Sequence, residues 1–205
     1  ACDGIKSKCR SLIYKDAEQP AYSGYSVWRG ILEENQSENH IHLGPNFHIV
    51  TYPIDNTRTS FVAAVKNSKK TEESWKTKGT YEGLCNDLPE STRHIYESLQ
   101  DSNEIYKWGV YTKKIPDKLF DNNITFLGDA AHPMVPFLGQ GGCMALEDAY
   151  IFGKLIKLND SMKTSQIMYQ KLRYKRVKKI YKDSALQGKL NHISNPLIVY
   201  CRNFL

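Results

Sequence analysis

The densest run of chemistry-bearing residues is 127–150, LGDAAHPMVPFLGQGGCMALEDAY. A short apolar strand is predicted over 123–127 (NITFL), which sets Gly128 and Asp129 at a strand's carboxyl end. A carboxylate in that position can accept hydrogen bonds from sugar hydroxyls. The loop after it holds Pro133, Pro136, Gly139, Gln140, Gly141 and Gly142. A helical pattern follows, with Met144, Ala145, Leu146, Ala149, Phe152, Leu155 and Ile156 on one side. Free N–H groups where such a helix starts favour an anion or a polarised carbonyl, and small residues let a flat ring approach the backbone. The plainer alternative is a strand–loop–helix connection whose glycines only make turns, and an isolated GQGG would be read that way.

Two other segments could do chemistry. In His48-Ile49-Val50-Thr51-Tyr52-Pro53, strand alternation puts His48, Val50 and Tyr52 on one face. An imidazole of near-neutral pKa could take a phenolic proton there, with Tyr52 orienting the ring. The competing reading is a half-exposed strand histidine beside a packing tyrosine, since His40 and His42 lie close by. At the other segment, ACDGIKSKCR over residues 1–10, Asp3 and Gly4 are followed by Ser7 and Arg10. Alone, that is a surface turn.

The elements that must position these residues divide by pattern. From about 20 to 115 the chain reads as strands broken by turns. Strands are predicted over 26–31, 47–54, 60–65 and 105–111, with a hairpin turn at 55–58. Polar residues 71–103 suit one or two helices, with Leu84, Leu88, Ile95 and Leu99 as core candidates. Residues 162–190 suit one or two more, and the tail NPLIVYCRNFL is apolar.

Composition sets the frame. The 205 residues are 40% apolar and 24% charged, the balance of a globular chain able to bury a core. No run of 18 apolar residues and no signal peptide is present, so stable membrane insertion is not expected. Five cysteines without a CxxC pair argue for reduced thiols, a cytoplasmic setting and no metal site. The net charge of +6 is concentrated in Lys171, Arg173, Lys175, Arg176, Lys178, Lys179 and Lys182. These are read as the solvated face of a helix packing through Leu172, Val177, Ile180 and Tyr181, with no nucleic acid as partner.

The whole run Gly128-Asp129-Ala130-Ala131-His132-Pro133, Gly139-Gln140-Gly141-Gly142-Cys143 and Glu147-Asp148-Ala149 resembles the GD motif of the FAD-dependent aromatic hydroxylases, single-component flavoprotein monooxygenases. Residues 1–10 resemble that family's DG motif, G-A-D-G-x-x-S-x-V-R, with Ala1 where Gly is usual and Cys9 where Val is usual. Residues 25–30 (YSVWRG) look like the first strand of its substrate domain. His48 and Tyr52 match a His and a Tyr of the salicylate and 3-hydroxybenzoate hydroxylase subgroup. Arg176-Val177, Gly188, Asn191-His192 and Pro196-Leu197 resemble the end of that subgroup's core.

The resemblance implies an α/β fold with an antiparallel substrate-domain sheet, the C-terminal part of a two-domain FAD-binding monooxygenase. Residues 1–16 and 116–205 would form part of the FAD-binding domain, and 17–115 the substrate sheet. It implies FAD and NAD(P)H as cofactors, O2 and a small aromatic acid or phenol as reactants, and allows a homodimer. Asp3, Gly4, Ser7 and Arg10 would serve FAD and NAD(P)H. Gly128, Asp129, Pro136, Gly139, Gln140, Gly141, Gly142, Cys143 and Met144 would hold the flavin, and His48 and Tyr52 would be catalytic. The family's opening GxGxxG segment is not in this sequence and is expected before Ala1, and apolar surface on residues 120–160 is expected to be exposed without it. Three alternatives stand beside this reading: oxygenation or epoxidation of a prenylated or heterocyclic compound, a catalytically silent binding module, and a nucleic-acid surface over 171–182.

Overall fold

A computed structural model describes residues 1–14, 19–74 and 76–203. The expected domain boundary at 16/17 and the last two tail residues, 204 and 205, lie outside the described residues. The chain forms two compact units, one of Ala1–Ala21 with Tyr111–Gly188, the other of Tyr22–Val110 with Lys189–Leu205.

The second unit is built on a five-stranded sheet from β1 (Ala21–Leu32), β2 (His40–Gly44), β3 (Phe47–Pro53), β4 (Thr59–Lys66) and β5 (Tyr106–Thr112). The strand order is β2-β3-β4-β1-β5. The β1–β4, β2–β3 and β3–β4 pairs are antiparallel. The hairpin at 55–58 forms as its sequence predicts, with the Ile54 N–H donating to the Arg58 carbonyl at 2.8 Å. β2 was not anticipated, because HIHLG is short and its apolar Ile41 and Leu43 lie exposed rather than in the core. One sheet face carries Trp28, Phe47, Ile49, Phe61 and Ala63 into a core closed by Leu84, Leu88, Tyr96 and Leu99. Those last four come from α2 (Tyr81–Asp87) and the short 3-10 turns after it. The covering is close: a Cβ on Gly79 would sit 2.3 Å from the Trp28 ring. The Trp28 indole N–H donates to Asp87 at 2.8 Å, and Lys107 pairs with the same carboxylate at 2.7 Å. The unit also holds α5 (Pro196–Asn203), whose Leu197, Ile198 and Tyr200 are exposed.

The first unit opens with α1 (Lys8–Ile13). The strand expected at 123–127 is a minimal antiparallel pair, β6 (Phe120–Asp121) with β7 (Ile124–Thr125). Gly128 and Asp129 begin a 3-10 turn, Gly128–Ala130, rather than standing at the end of a strand. The unit's long helices are α3 (Gly141–Leu158) and α4 (Met162–Asn191), and its core gathers Leu119, Phe126, Met144, Leu155, Tyr169 and Val177. As expected for 120–160, several apolar side chains lie open, among them Leu146, Tyr150, Ile156 and Leu158.

The basic run of α4 corrects the sequence reading. The inward stripe runs Gln166, Tyr169, Arg173, Val177 and Ser184 at helical spacing. Arg173 is therefore 1% exposed rather than solvated, while Leu172, one residue and about 100° away on the helix, is 56% exposed.

Candidate functional site

Residues 1–10 of the first unit build a hydrogen-bonded turn that caps α1. Gly4 takes φ 75°, a left-handed conformation that glycine adopts without strain. The Ser7 hydroxyl donates to Asp3 at 2.6 Å and accepts the Arg10 N–H at 3.0 Å, which caps α1. The Cys9 N–H also donates to Asp3, at 3.2 Å. Burial opposes ionisation of Asp3, but these hydrogen bonds prevail and hold its carboxyl below the ordinary pKa. The buried Arg10 guanidinium donates to the carbonyls of Ala130 and Ala131, at 3.4 and 3.5 Å, and to that of Lys114. The two glycine-aspartate segments are thus joined through Arg10.

The loop at 128–144 is braced from below and open above. Gly128 takes φ 57°, and a Cβ on it would meet the Ala145 methyl at 3.2 Å, so the turn rests against α3. Its N–H donates to Asp148 Oδ2 at 3.0 Å. His132 Nε2 donates to the same oxygen at 2.6 Å, and Arg173 Nε donates to Asp148 Oδ1 at 2.7 Å. Asp148 is 0% exposed. Burial would push its carboxyl up, but the hydrogen bonds from His132, Gly128 and Arg173 outweigh it and the pKa is lowered. Glu147, bound by Arg176 and then Arg173, falls to about 2. This brace was missed at the sequence level. The only hint was a Glu-Asp pair one to two turns into the helix, with arginines among residues expected to be solvated.

Above the brace, Pro136 to Leu138 form a 3-10 turn that ends on Gly139 at φ 64°. Gln140 then starts α3 without a side-chain cap. A Cβ on Gly139, Gly141 or Gly142 would meet nothing within 4 Å, so the backbone there is open to a ligand. Pro136, Gly142, Cys143 and Asp129 are exposed. The protein around Asp129 nevertheless raises its pKa by desolvation, with His132 opposing. Met144 differs from its neighbours: its side chain is buried and its N–H donates to the Gln140 carbonyl at 2.9 Å. The site fits a flavin in three respects: an open glycine surface for a planar ring, uncapped N–H groups at the start of an 18-residue helix for an electron-rich edge, and an exposed carboxylate for hydroxyls.

In the second unit, pairing of His48 with Ala64 and of Val50 with Val62 puts His48, Val50 and Tyr52 on the sheet face opposite the Trp28 core. Tyr52 is exposed and His48 is 7% exposed. His48 Nδ1 lies 2.7 Å from His192 Nε2, a separation that requires one ring to donate and the other to accept. Burial depresses both imidazoles to about 4, and at His192 the neighbouring His48 and Lys66 add to it. The His192 ring meets Tyr25 edge-on at 5.1 Å. His192 had been noted only within a matching tail, and its separation of 144 residues from His48 gave no local signal.

The FAD-binding domain family model matches residues 1–180, and the chain belongs to that family. Among similar proteins, the 3-amino-4-hydroxybenzoate 2-monooxygenase of Streptomyces cremeus is 32% identical over 157 residues, 71% of this chain and 37% of the relative. The 3-hydroxybenzoate 6-hydroxylase of Klebsiella oxytoca is 26% identical over 199 residues, 93% of this chain and 50% of the relative. The chain thus spans half or less of the length of these two relatives. A salicylate hydroxylase substrate complex superposes with TM-score 0.81 at 22% identity, covering 96% of this chain and 55% of that one. HpxO of Klebsiella pneumoniae, complexed with FAD and uric acid, gives 0.81 at 21%, covering 98% and 53%. These likenesses establish an FAD-binding monooxygenase fold of α/β type with an antiparallel sheet. No helix among the described residues is long and apolar enough to cross a membrane.

Proposed function

We propose that the protein is an FAD-dependent monooxygenase that hydroxylates an aromatic acid with NAD(P)H and O2, its first unit holding the flavin and its second presenting the substrate sheet. The observation that carries this reading is the loop at 136–142, open over three glycines and leading into an uncapped helix. The hydroxybenzoate and aminohydroxybenzoate relatives support the substrate class. When bound, FAD would supply the redox chemistry, with NAD(P)H as reductant and O2 as oxidant. The chain's residues do the rest. Gly128, Pro136, Gly139 and Gln140 would shape the ring's seat, and the uncapped N–H groups of Gly141, Gly142 and Cys143 would favour an electron-rich group of the flavin. Asp129 accepts from hydroxyls of the ribityl or ribose part. Asp3, Gly4, Ser7 and Arg10 hold that seat against the rest of the unit. Met144 contributes by anchoring the first helical turn in the core.

Tyr52 orients the ring, and His48 accepts the substrate's proton with His192 as its hydrogen-bonded partner. A base depressed to about 4 faces a phenol near 10, a gap of about six pH units or about 8 kcal/mol. The transfer is therefore favourable only where the bound phenol is strongly acidified. This mismatch supports a second reading, oxygenation of a heterocyclic ring that needs no phenolate, and the similarly folded HpxO is complexed with uric acid, a heterocycle. The test is steady-state NAD(P)H oxidation and product analysis with phenolic acids and with heterocycles, for wild type and His48→Gln. The first reading expects phenolic acids to stimulate turnover and His48→Gln to lose roughly 100-fold or more of it. Turnover on heterocycles that His48→Gln leaves intact selects the second.

A further inference from the structure

A cavity of about 420 Å³ in the first unit lies where β5 gives way to residues 113–117 beside α4. Its charged lining is Lys113, Lys114, Lys178 and Lys182, with Asp117 as the one acidic group among the lining residues. None of these belongs to the loop at 128–144. Lys178 and Lys182 are exposed and stand one turn apart on α4, with Tyr181 beside them. They therefore present two ammonium groups to the same opening. Lys178 also lies 4.4 Å over the Tyr174 ring.

Lys113 is the most enclosed of the four lysines. It is 3% exposed as a residue and lines the cavity, while Lys114, Lys178 and Lys182 are exposed. Ammonium groups gathered on one opening repel one another, and an anion between them relieves that repulsion. Burial holds the Lys113 pKa below the ordinary lysine value, the Arg10 cation lowers it further, and Asp3 opposes. Lys179, by contrast, is paired with Asp183 at 2.5 Å.

We propose that Lys113, Lys114, Lys178 and Lys182 form an anion site, separate from the flavin loop, for the phosphate oxygens of a phosphorylated ligand. Four ammonium groups against one carboxylate match a diphosphate better than a single carboxylate, and lysines serve phosphate as point charges without demanding a planar partner. Arg10 links this site to the loop at 128–144, since one guanidinium holds the Lys114 carbonyl and those of Ala130 and Ala131. The inference does not depend on the flavin reading.

The test is calorimetric titration of inorganic pyrophosphate into the full-length gene product, with and without saturating FAD. The expected result is one site whose affinity FAD leaves unchanged. Lys113→Met keeps the length of the side chain and removes its charge, and should weaken binding roughly tenfold to a hundredfold. The double variant Lys178→Ser/Lys182→Ser changes only exposed residues, so it decides the question if Lys113→Met does not fold; it too should weaken binding at least about tenfold. Absence of binding, or unchanged affinity in the folded variants, overturns the proposal. So does displacement of pyrophosphate by FAD, which would make the cavity the flavin's own phosphate site and leave the flavin reading standing.

Discussion

Replacing Asp148 with asparagine should destabilise the first unit far more than its single-atom size suggests. Oδ2 accepts from Gly128 and His132, and Oδ1 accepts from Arg173. An amide offers one acceptor oxygen and one NH2. Whichever way it turns, its NH2 faces a buried donor: the Arg173 Nε–H on one side, the Gly128 and His132 donors on the other. The Arg173 guanidinium also loses half its counter-charge, keeping the Glu147 carboxylate and its bond to the Met144 carbonyl. Breaking a buried ion pair by removing one partner costs about 3–5 kcal/mol. Because Glu147 remains, the lower end, about 3 kcal/mol, is expected here, and a unit of roughly 100 residues should melt about 10 °C lower or more. Glu147→Gln is the control: that side chain is partly exposed, and its loss should cost about 1 kcal/mol or less. Scanning calorimetry of the two variants beside wild type reads the difference. If Asp148→Asn melts within about 2 °C of wild type, or if Glu147→Gln is the worse of the two, the brace is not what holds the loop.

Three further outcomes follow. His48 and His192 are held neutral down to about 4 in the folded state, while an unfolded histidine titrates near 6.5. Between those values the unfolded chain binds more protons, so stability is full above about pH 6.5 and falls as pH drops toward 4; urea melts at pH 7 and pH 5 should differ by about 2 kcal/mol per imidazole at most. A His192→Phe variant should flatten that slope, and an unchanged slope would remove the pair from the account. Gly79→Val would drive its side chain into the Trp28 ring, and a loss of about 2–3 kcal/mol in denaturant melts is expected.

Much of the second unit was legible because its strands obey a period of two. β3 and β4 begin and end within a residue of their predicted positions, and the hairpin between them follows from its turn residues. β2 was not legible, since exposed Ile41 and Leu43 break the expected pattern of burial. The turn and opening of the loop at 136–142 could be read from glycine and proline spacing, which is local. The brace beneath it and the His48–His192 pair could not, because they join residues 16 to 144 positions apart through side chains whose types alone suggest solvent. Arg173 is the sharpest case. Residue type placed it on the wet face of α4, while the phase of the helix, set by Tyr169 and Val177, places it in the core.

The claim on which the rest depends is that the open loop seats FAD. The most direct measurement is the visible spectrum and FAD stoichiometry of the full-length gene product, taken for wild type and for Gly141→Val. Valine there adds bulk to an open surface and meets nothing in the protein within 4 Å at its Cβ, so the fold should survive. The account predicts a yellow wild type with about one FAD per chain and a variant of unchanged melting temperature that binds FAD at least about tenfold more weakly. A wild type that stays colourless with added FAD, or a variant that binds it as tightly as wild type, would contradict the account.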